Sequence, residues 1–179
     1  MASEKKLDCV ILGLLSHEDL TGYEIKRRMD TTLKYFWGAS FGSIYPTLNQ
    51  LVEQGLAIRR DGTDGGRKRL VYSITEEGHA YLRAWLGQPA QRDELRCETL
   101  LKLFFGQDGG EEQALEHVEA FERRALADLP RLEHARQVLS SADSDEAHRY
   151  YLLTVEFGIK TYNAHLDWCR EAKALLRGE

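Results

Sequence analysis

Apolar residues recur along this chain at two different periods, and the change of period maps its organisation. Leu7, Val10, Ile11, Leu14 and Leu15 fall on one face of a first helix. SHEDLTG (16–22) then reads as a turn, with Thr21 placed to cap a short second helix over Gly22–Asp30. A third apolar face follows at Ile44, Leu48, Leu51, Val52 and Leu56, with Gly55 at its C-terminal end. From residue 57 the period drops to two. AIRR and RLVYSIT flank DGTDGG (61–66), which predicts a β-hairpin over 57–75 with a glycine- and aspartate-rich tip. Thr75 with Gly78 starts another helix through Trp85 and Leu86, and GQPAQ (87–91) reads as a linker. Beyond it the rhythm is helical throughout. A segment over 94–105 is cut off by GQDGG (106–110). Two long helices follow, one through Leu115, Val118, Ala125, Leu129, Leu132 and Leu139 with a kink expected at Pro130. The other runs through Leu152, Val155, Ile159, Tyr162, Leu166, Cys169 and Leu176.

The third helix carries an unusual polar face. In SFGSIYPTLNQLVEQGL (40–56), Ser40 can cap it, and the residues off the apolar stripe are Ser43, Tyr45, Thr47, Asn49 and Gln50. An exposed helix face ordinarily favours Glu and Lys. Hydrogen-bonding groups without charge suit phosphates and base edges instead. Gly42 would allow close approach of a phosphate at the helix N-terminus, and Pro46 is tolerable if it lies in the first turn, where few intrahelical bonds exist to lose. Three helices, a hairpin with a basic return strand (Arg67, Lys68, Arg69), then a helix is the order of a winged helix-turn-helix, whose third helix enters the major groove while the hairpin touches the backbone. The expected fold is therefore mostly α. It comprises an N-terminal winged helix-turn-helix with one β-hairpin over 1–88 and a C-terminal domain of long helices over 89–179, whose apolar seams suit pairing either within the chain or between two chains; its reading as a dimerisation domain comes from the resemblance given below.

Charge refines this picture. The 179 residues carry a net charge of −5, which argues against nucleic acid until it is divided: residues 1–86 are net +1 and residues 87–179 net −6. A local basic patch on an acidic chain still binds phosphate, because screening removes distant charges within about 10 Å at 0.1 M salt. No apolar run approaches the ~18 residues of a membrane span, and the first residues have no signal-peptide core, so no membrane partner is expected. Cys9, Cys97 and Cys169 are far apart and unpaired in motif, which makes a reduced cytoplasm the default compartment and small core hydrophobes their default role. The six histidines (17, 79, 117, 134, 148, 165) show no metal-ligand spacing, and no catalytic motif stands out. No cofactor, metal or enzymatic activity is expected.

LGLLS, TGYEI, FGSIYPTLNQLVEQGL and GRKRLVYSITEEG together resemble the winged-helix domain of the PadR family of bacterial transcriptional regulators, over roughly residues 7–86. The helical remainder is similar in layout to that family's dimerisation domain. The resemblance implies a homodimer on an inverted-repeat operator in double-stranded DNA, with half-sites about 34–36 Å apart, acting as a repressor released by a small molecule or a stress signal. It would put Ser43, Tyr45, Pro46 and Thr47 at the DNA and Arg67 and Lys68 on the wing. Where the family often has Lys-Tyr-Tyr, this chain has Leu70, Val71 and Tyr72, so Lys68 or Arg69 would substitute as the phosphate ligand. Tyr23 either fills its helix's apolar face, the favoured reading, or contacts DNA, and Tyr45 either contacts DNA or closes the domain. Tyr35 and Trp37, with Phe36, either line a pocket for a small aromatic effector together with Tyr162 and Trp168, or plug the space beneath the C-terminal helices. A second class of function stays open on the sequence: a winged-helix module that binds a protein partner and not DNA.

Overall fold

A computed structural model describes residues 2–37, 44–64, 67–90, 96–141 and 146–179, in two compact units, Met1–Arg92 and Asp93–Glu179. In the first unit the order is α1 (Ala2–Leu15), β1 (Leu20–Thr21), α2 (Gly22–Arg28), α3 (Ile44–Glu53), β2 (Ala57–Asp64), β3 (Arg67–Ile74) and α4 (Glu76–Leu86). The core is built from the expected faces. Leu7, Ile11, Leu12 and Leu15 of α1 meet Ile25 and Met29 from the second helix and Ile44, Leu48 and Leu51 from α3, all essentially buried. At ~25 cal/mol per Å² of apolar surface, each such side chain contributes about 1.5–3 kcal/mol against leaving it in water, which outweighs the modest helix propensity of segments this short.

Three local features differ from the sequence reading. The second helix does not stop at Asp30; it passes into a wide π-turn over Met29–Leu33, which keeps Met29 in the core. Leu20 and Thr21 form a two-residue strand, paired antiparallel with β3 through Leu20↔Tyr72 and Thr21↔Val71, giving a three-stranded sheet in the order β1-β3-β2. The hairpin is also longer than expected. Its ladder persists to Asp64↔Arg67, so strand pairing extends well into the segment read as a loop.

Two threonines fix the helix starts. Thr21 forms a reciprocal capping box: its hydroxyl accepts from the Glu24 N–H at 3.2 Å, and its own N–H donates to Glu24 Oε2 at 2.8 Å. Thr75 caps α4 by accepting from the Gly78 N–H at 3.0 Å and donates to the Gly55 carbonyl at 2.7 Å, tying the end of α3 to the start of α4. Gly55 has φ 73°, the left-handed conformation that closes α3. Gly78 has no substitute, because a Cβ there would lie 2.1 Å from the Leu56 carbonyl oxygen.

The second unit contains α5 (Glu98–Phe104), a 3₁₀ turn over Gly106–Asp108, and two 32-residue helices, α6 (Gly110–Ser141) and α7 (Glu146–Arg177). Helix α6 runs through Pro130 without ending. The two long helices lie antiparallel: Arg177 reaches Glu119, Lys173 reaches Glu122, Tyr162 reaches Asp128 and Arg136 reaches Glu156. Val118, Ala125 and Leu132 are buried from α6, Ile159 and Cys169 from α7. Gly158 lets the helices close up where its missing Cβ would lie 3.1 Å from Leu132 Cδ1. Lys173, out of the apolar rhythm in the sequence, spans the seam to both oxygens of Glu122 at 2.8 and 2.6 Å.

Candidate nucleic-acid interface

Helix α3 begins at Ile44, so Pro46 is its third residue, inside the turn whose N–H groups have no intrahelical acceptor. The helix therefore loses nothing by the proline. Ile44, Thr47, Leu48 and Leu51 point inward at helical steps of three and four. Tyr45, Pro46, Asn49 and Gln50 are exposed on the other side. Thr47 is a correction to the sequence reading: at 7% exposure it belongs to the buried face. Three residues after Ile44 and one before Leu48, it sits within the apolar stripe. Ser40, Gly42 and Ser43 lie outside the described residues.

Tyr45 is 60% exposed, yet its ring is seated. It lies over the first residue of α2, where a Cβ on Gly22 would approach Tyr45 Cε1 to 2.6 Å. Gly22 thus allows the phenol ring to lie against the start of α2. Tyr23 is a second correction. It does not fill the core but is 68% exposed, because Ile25 and Met29 already complete the inner face of its helix.

The same unit exposes several cations. Lys26 and Arg27 are exposed on α2, and Arg59, Arg60 and Arg69 on the sheet. Arg69 and Arg27 are near enough to help hold the Glu24 carboxyl below its ordinary value, after the larger effects of the Thr21 N–H and hydroxyl. Glu18 neutralises Arg28 in an ion pair. The backbone of Arg67 and Lys68 forms the start of β3; their side chains are outside the described residues. Lys26 and Arg27 were visible in the sequence only as polar interruptions of a short helix, and their exposure required the fold.

The four aromatic residues considered for an effector pocket divide between the units. Tyr35 carries Lys34 Nζ 4.7 Å from its ring centroid, and Trp37 carries Lys6 Nζ at 5.4 Å. Tyr162 and Trp168 belong to a half-buried cluster with Phe121 and His165: Trp168 meets Phe121 edge to face at 5.7 Å, and Tyr162 meets His165 at 5.8 Å. Burial holds the His165 imidazole below its usual value. Cys9 and Cys169 are buried thiols, Cys9 pushed up to about 11 by burial and then by the Asp8 carboxylate, so neither resembles a reactive thiolate. Among the described residues no cluster of His, Cys, Asp or Glu could hold a metal ion, and no helix is long and apolar enough to cross a membrane.

A winged helix-turn-helix with an uncharged polar helix face, in a unit that also exposes several cations, belongs to the class of nucleic-acid-binding folds. Within that class, residues 11–84 match the transcriptional regulator PadR-like family, and residues 95–177 match the virulence activator alpha C-terminal family. The winged unit, over residues 11–84, is a domain of the PadR-like transcriptional regulator family. It is similar to the negative transcriptional regulator PadR of Bacillus subtilis, with 33% identity over 102 residues, 55% of this chain and 56% of that one, so the match spans little more than half of that relative. It is 27% identical over 180 residues to the probable transcriptional regulator Rv1176c of Mycobacterium tuberculosis, covering 93% of this chain and 95% of the other. The B. subtilis regulator in complex with operator DNA gives a TM-score of 0.80 at 26% identity, covering 95% of this chain and 98% of that chain. The same regulator has been solved with p-coumaric acid (TM-score 0.71, 24% identity, 97% of each chain). The virulence activator AphA of Vibrio cholerae gives a TM-score of 0.72 at 27% identity, covering 96% of this chain and 98% of that chain.

Proposed function

We propose that this protein is a homodimeric repressor that binds an inverted-repeat operator in double-stranded DNA, with residues 1–88 as the DNA-binding domain and 89–179 as the dimerisation domain. It acts in the cytoplasm, without enzymatic activity, and leaves the operator when a small aromatic ligand binds. The observation that carries this reading is the outer face of α3. Tyr45, Asn49 and Gln50 are exposed there, in a half of the chain that also exposes Lys26, Arg27, Arg59, Arg60 and Arg69. The cations supply affinity through the phosphates, and the uncharged side chains of α3 supply base preference. Tyr150, Leu153 and Phe157 form an exposed stripe at helical spacing on α7, the kind of apolar surface a second copy would cover. A small aromatic ligand has a precedent in the B. subtilis regulator, solved in complex with p-coumaric acid.

The test is fluorescence anisotropy of the protein on its own upstream duplex and on a scrambled one, across a salt series. Selective binding with a steep negative salt slope is expected. Binding that does not distinguish the duplexes and does not weaken with salt overturns the reading.

A further inference from the structure

The last turn of α2 is basic, Lys26-Arg27-Arg28, and it runs without a break into the π-turn over Met29–Leu33. Thr31 stands in that turn, exposed, three residues after Arg28, four after Arg27 and five after Lys26. Its hydroxyl donates to the Arg27 carbonyl at 2.8 Å, with a longer contact to the Arg28 carbonyl at 3.5 Å. The oxygen thus gives its one proton to the backbone and keeps its lone pairs for another group.

Cations at fixed steps before a hydroxyl are the charge pattern by which basophilic serine/threonine kinases choose their substrates. An arginine three residues upstream also precedes Thr63 and Thr99, as Arg60 and Arg96. Thr99 is buried and accepts from Arg124, and Thr63 is held in the hairpin ladder opposite Lys68. Of the three, Thr31 combines exposure with a segment that can open. A π-turn is rare and frequent at functional sites, and this one extends a helix of only seven residues. Met29 and Leu33 anchor its ends on the core, while Asp30, Thr31 and Thr32 between them are exposed. Such a turn opens locally at low cost, which a kinase that reads its substrate in extended form requires.

We propose that Thr31 is a phosphoacceptor for a basophilic serine/threonine kinase, and that its phosphorylation weakens binding to DNA. In the step, Thr31 Oγ1 attacks the γ-phosphorus of ATP and the bond to the β-phosphate oxygen breaks. ADP leaves with that electron pair, and the hydroxyl proton passes to the kinase. The product carries a charge of about −1.5 to −2 at pH 7. It has lost the proton that bonded the Arg27 carbonyl, and it places an anion at the negative end of the α2 dipole. Arg27 and Arg28 are the adjacent cations that can receive it, Arg28 by exchanging Glu18 for a stronger acceptor. Cations drawn to a phosphothreonine are withdrawn from the phosphates of a duplex. The effect on DNA rests on the DNA reading; the modification site does not.

The test is treatment of the full chain with the catalytic subunit of cAMP-dependent protein kinase and Mg-ATP, mapped by peptide mass spectrometry, then anisotropy on the operator duplex. Phosphate is expected on Thr31, absent from Thr31→Ala, and incorporated about tenfold more slowly in Arg28→Gln. The phosphorylated chain is expected to bind the operator about tenfold or more weakly than the unmodified one, with a shallower salt slope. Thr31→Ala binds as the parent does, before and after kinase treatment, and circular dichroism verifies the fold of each variant. Phosphate confined to Thr32, Thr63 or Thr99, or none at all, overturns the proposal. A chain phosphorylated at Thr31 that binds the operator within about twofold of the unmodified one overturns it as well. Absence of operator binding by the unmodified chain, with Thr31 still phosphorylated, sinks the DNA reading and leaves the modification site in place.

Discussion

Gly22→Ala tests whether the seating of Tyr45 matters for DNA binding. The added methyl carbon would stand 2.6 Å from Tyr45 Cε1, 3.1 Å from Cζ and 3.3 Å from Cδ1. Ordinary carbon–carbon contact is ~3.5–4.0 Å, so the ring must retreat by about 1 Å. It has room, being mostly exposed, and α2 gains at most ~1 kcal/mol of helix propensity from alanine. The net change in folding free energy is therefore expected to stay within about 1 kcal/mol of zero. For recognition the same ångström is large. A hydrogen bond from the phenol of ~2.7 Å becomes one of ~3.7 Å, which is no bond, and one to a charged phosphate is worth ~1.5–3 kcal/mol. Operator affinity is expected to fall by about tenfold or more, approaching the loss in Tyr45→Ala. The assay pairs anisotropy on the operator duplex with thermal denaturation. An affinity within twofold of the parent at unchanged stability would refute a recognition role for the seated ring. A stability loss above ~2 kcal/mol would refute the claim that the ring is free to move.

Three further outcomes are expected. Glu122→Gln should cost about 1–2 kcal/mol in denaturant unfolding: the pair with Lys173 is four-fifths buried, below the ~3–5 kcal/mol of fully enclosed pairs, and an unchanged midpoint would show the contact to be idle. Thr75→Ala should cost about 1–2 kcal/mol through the lost α4 cap and the lost bond to Gly55, with Thr75→Ser restoring most of it; equal losses in the two variants would point to the methyl group instead. Because the Glu24 carboxyl is held below 4.5 in the folded chain, its contribution is complete above that value and is lost as the pH falls through the lowered one. Unfolding curves of Glu24→Gln between about pH 6 and about pH 3 should thus be flatter than the parent's; parallel curves would exclude the capping carboxylate as a source of acid sensitivity.

Much of the winged unit was legible because its signals are local and redundant. The apolar stripe of α3, Gly55 and Thr75 each point to the same boundaries, and Pro46 fits only the first turn. The failures share a different cause. β1 is two residues long and exists only because β3 lies beside it, so no period could reveal it. Thr47 was grouped with polar neighbours by residue type, whereas its place between Ile44 and Leu48 on the helix wheel decides its burial. Tyr23 was assigned a packing role on hydrophobicity, but Ile25 and Met29 had already filled the space.

Thr21 occupies two structural roles at once. It is the strand residue that pairs with Val71 and the cap from which α2 starts, with no intervening residue to absorb a bend. The sheet that ends in the wing and the helix on which Tyr45 rests consequently share a single hinge pin. Displacing that one residue would loosen the edge of the sheet and the start of α2 together, so the two elements cannot be perturbed separately at this point.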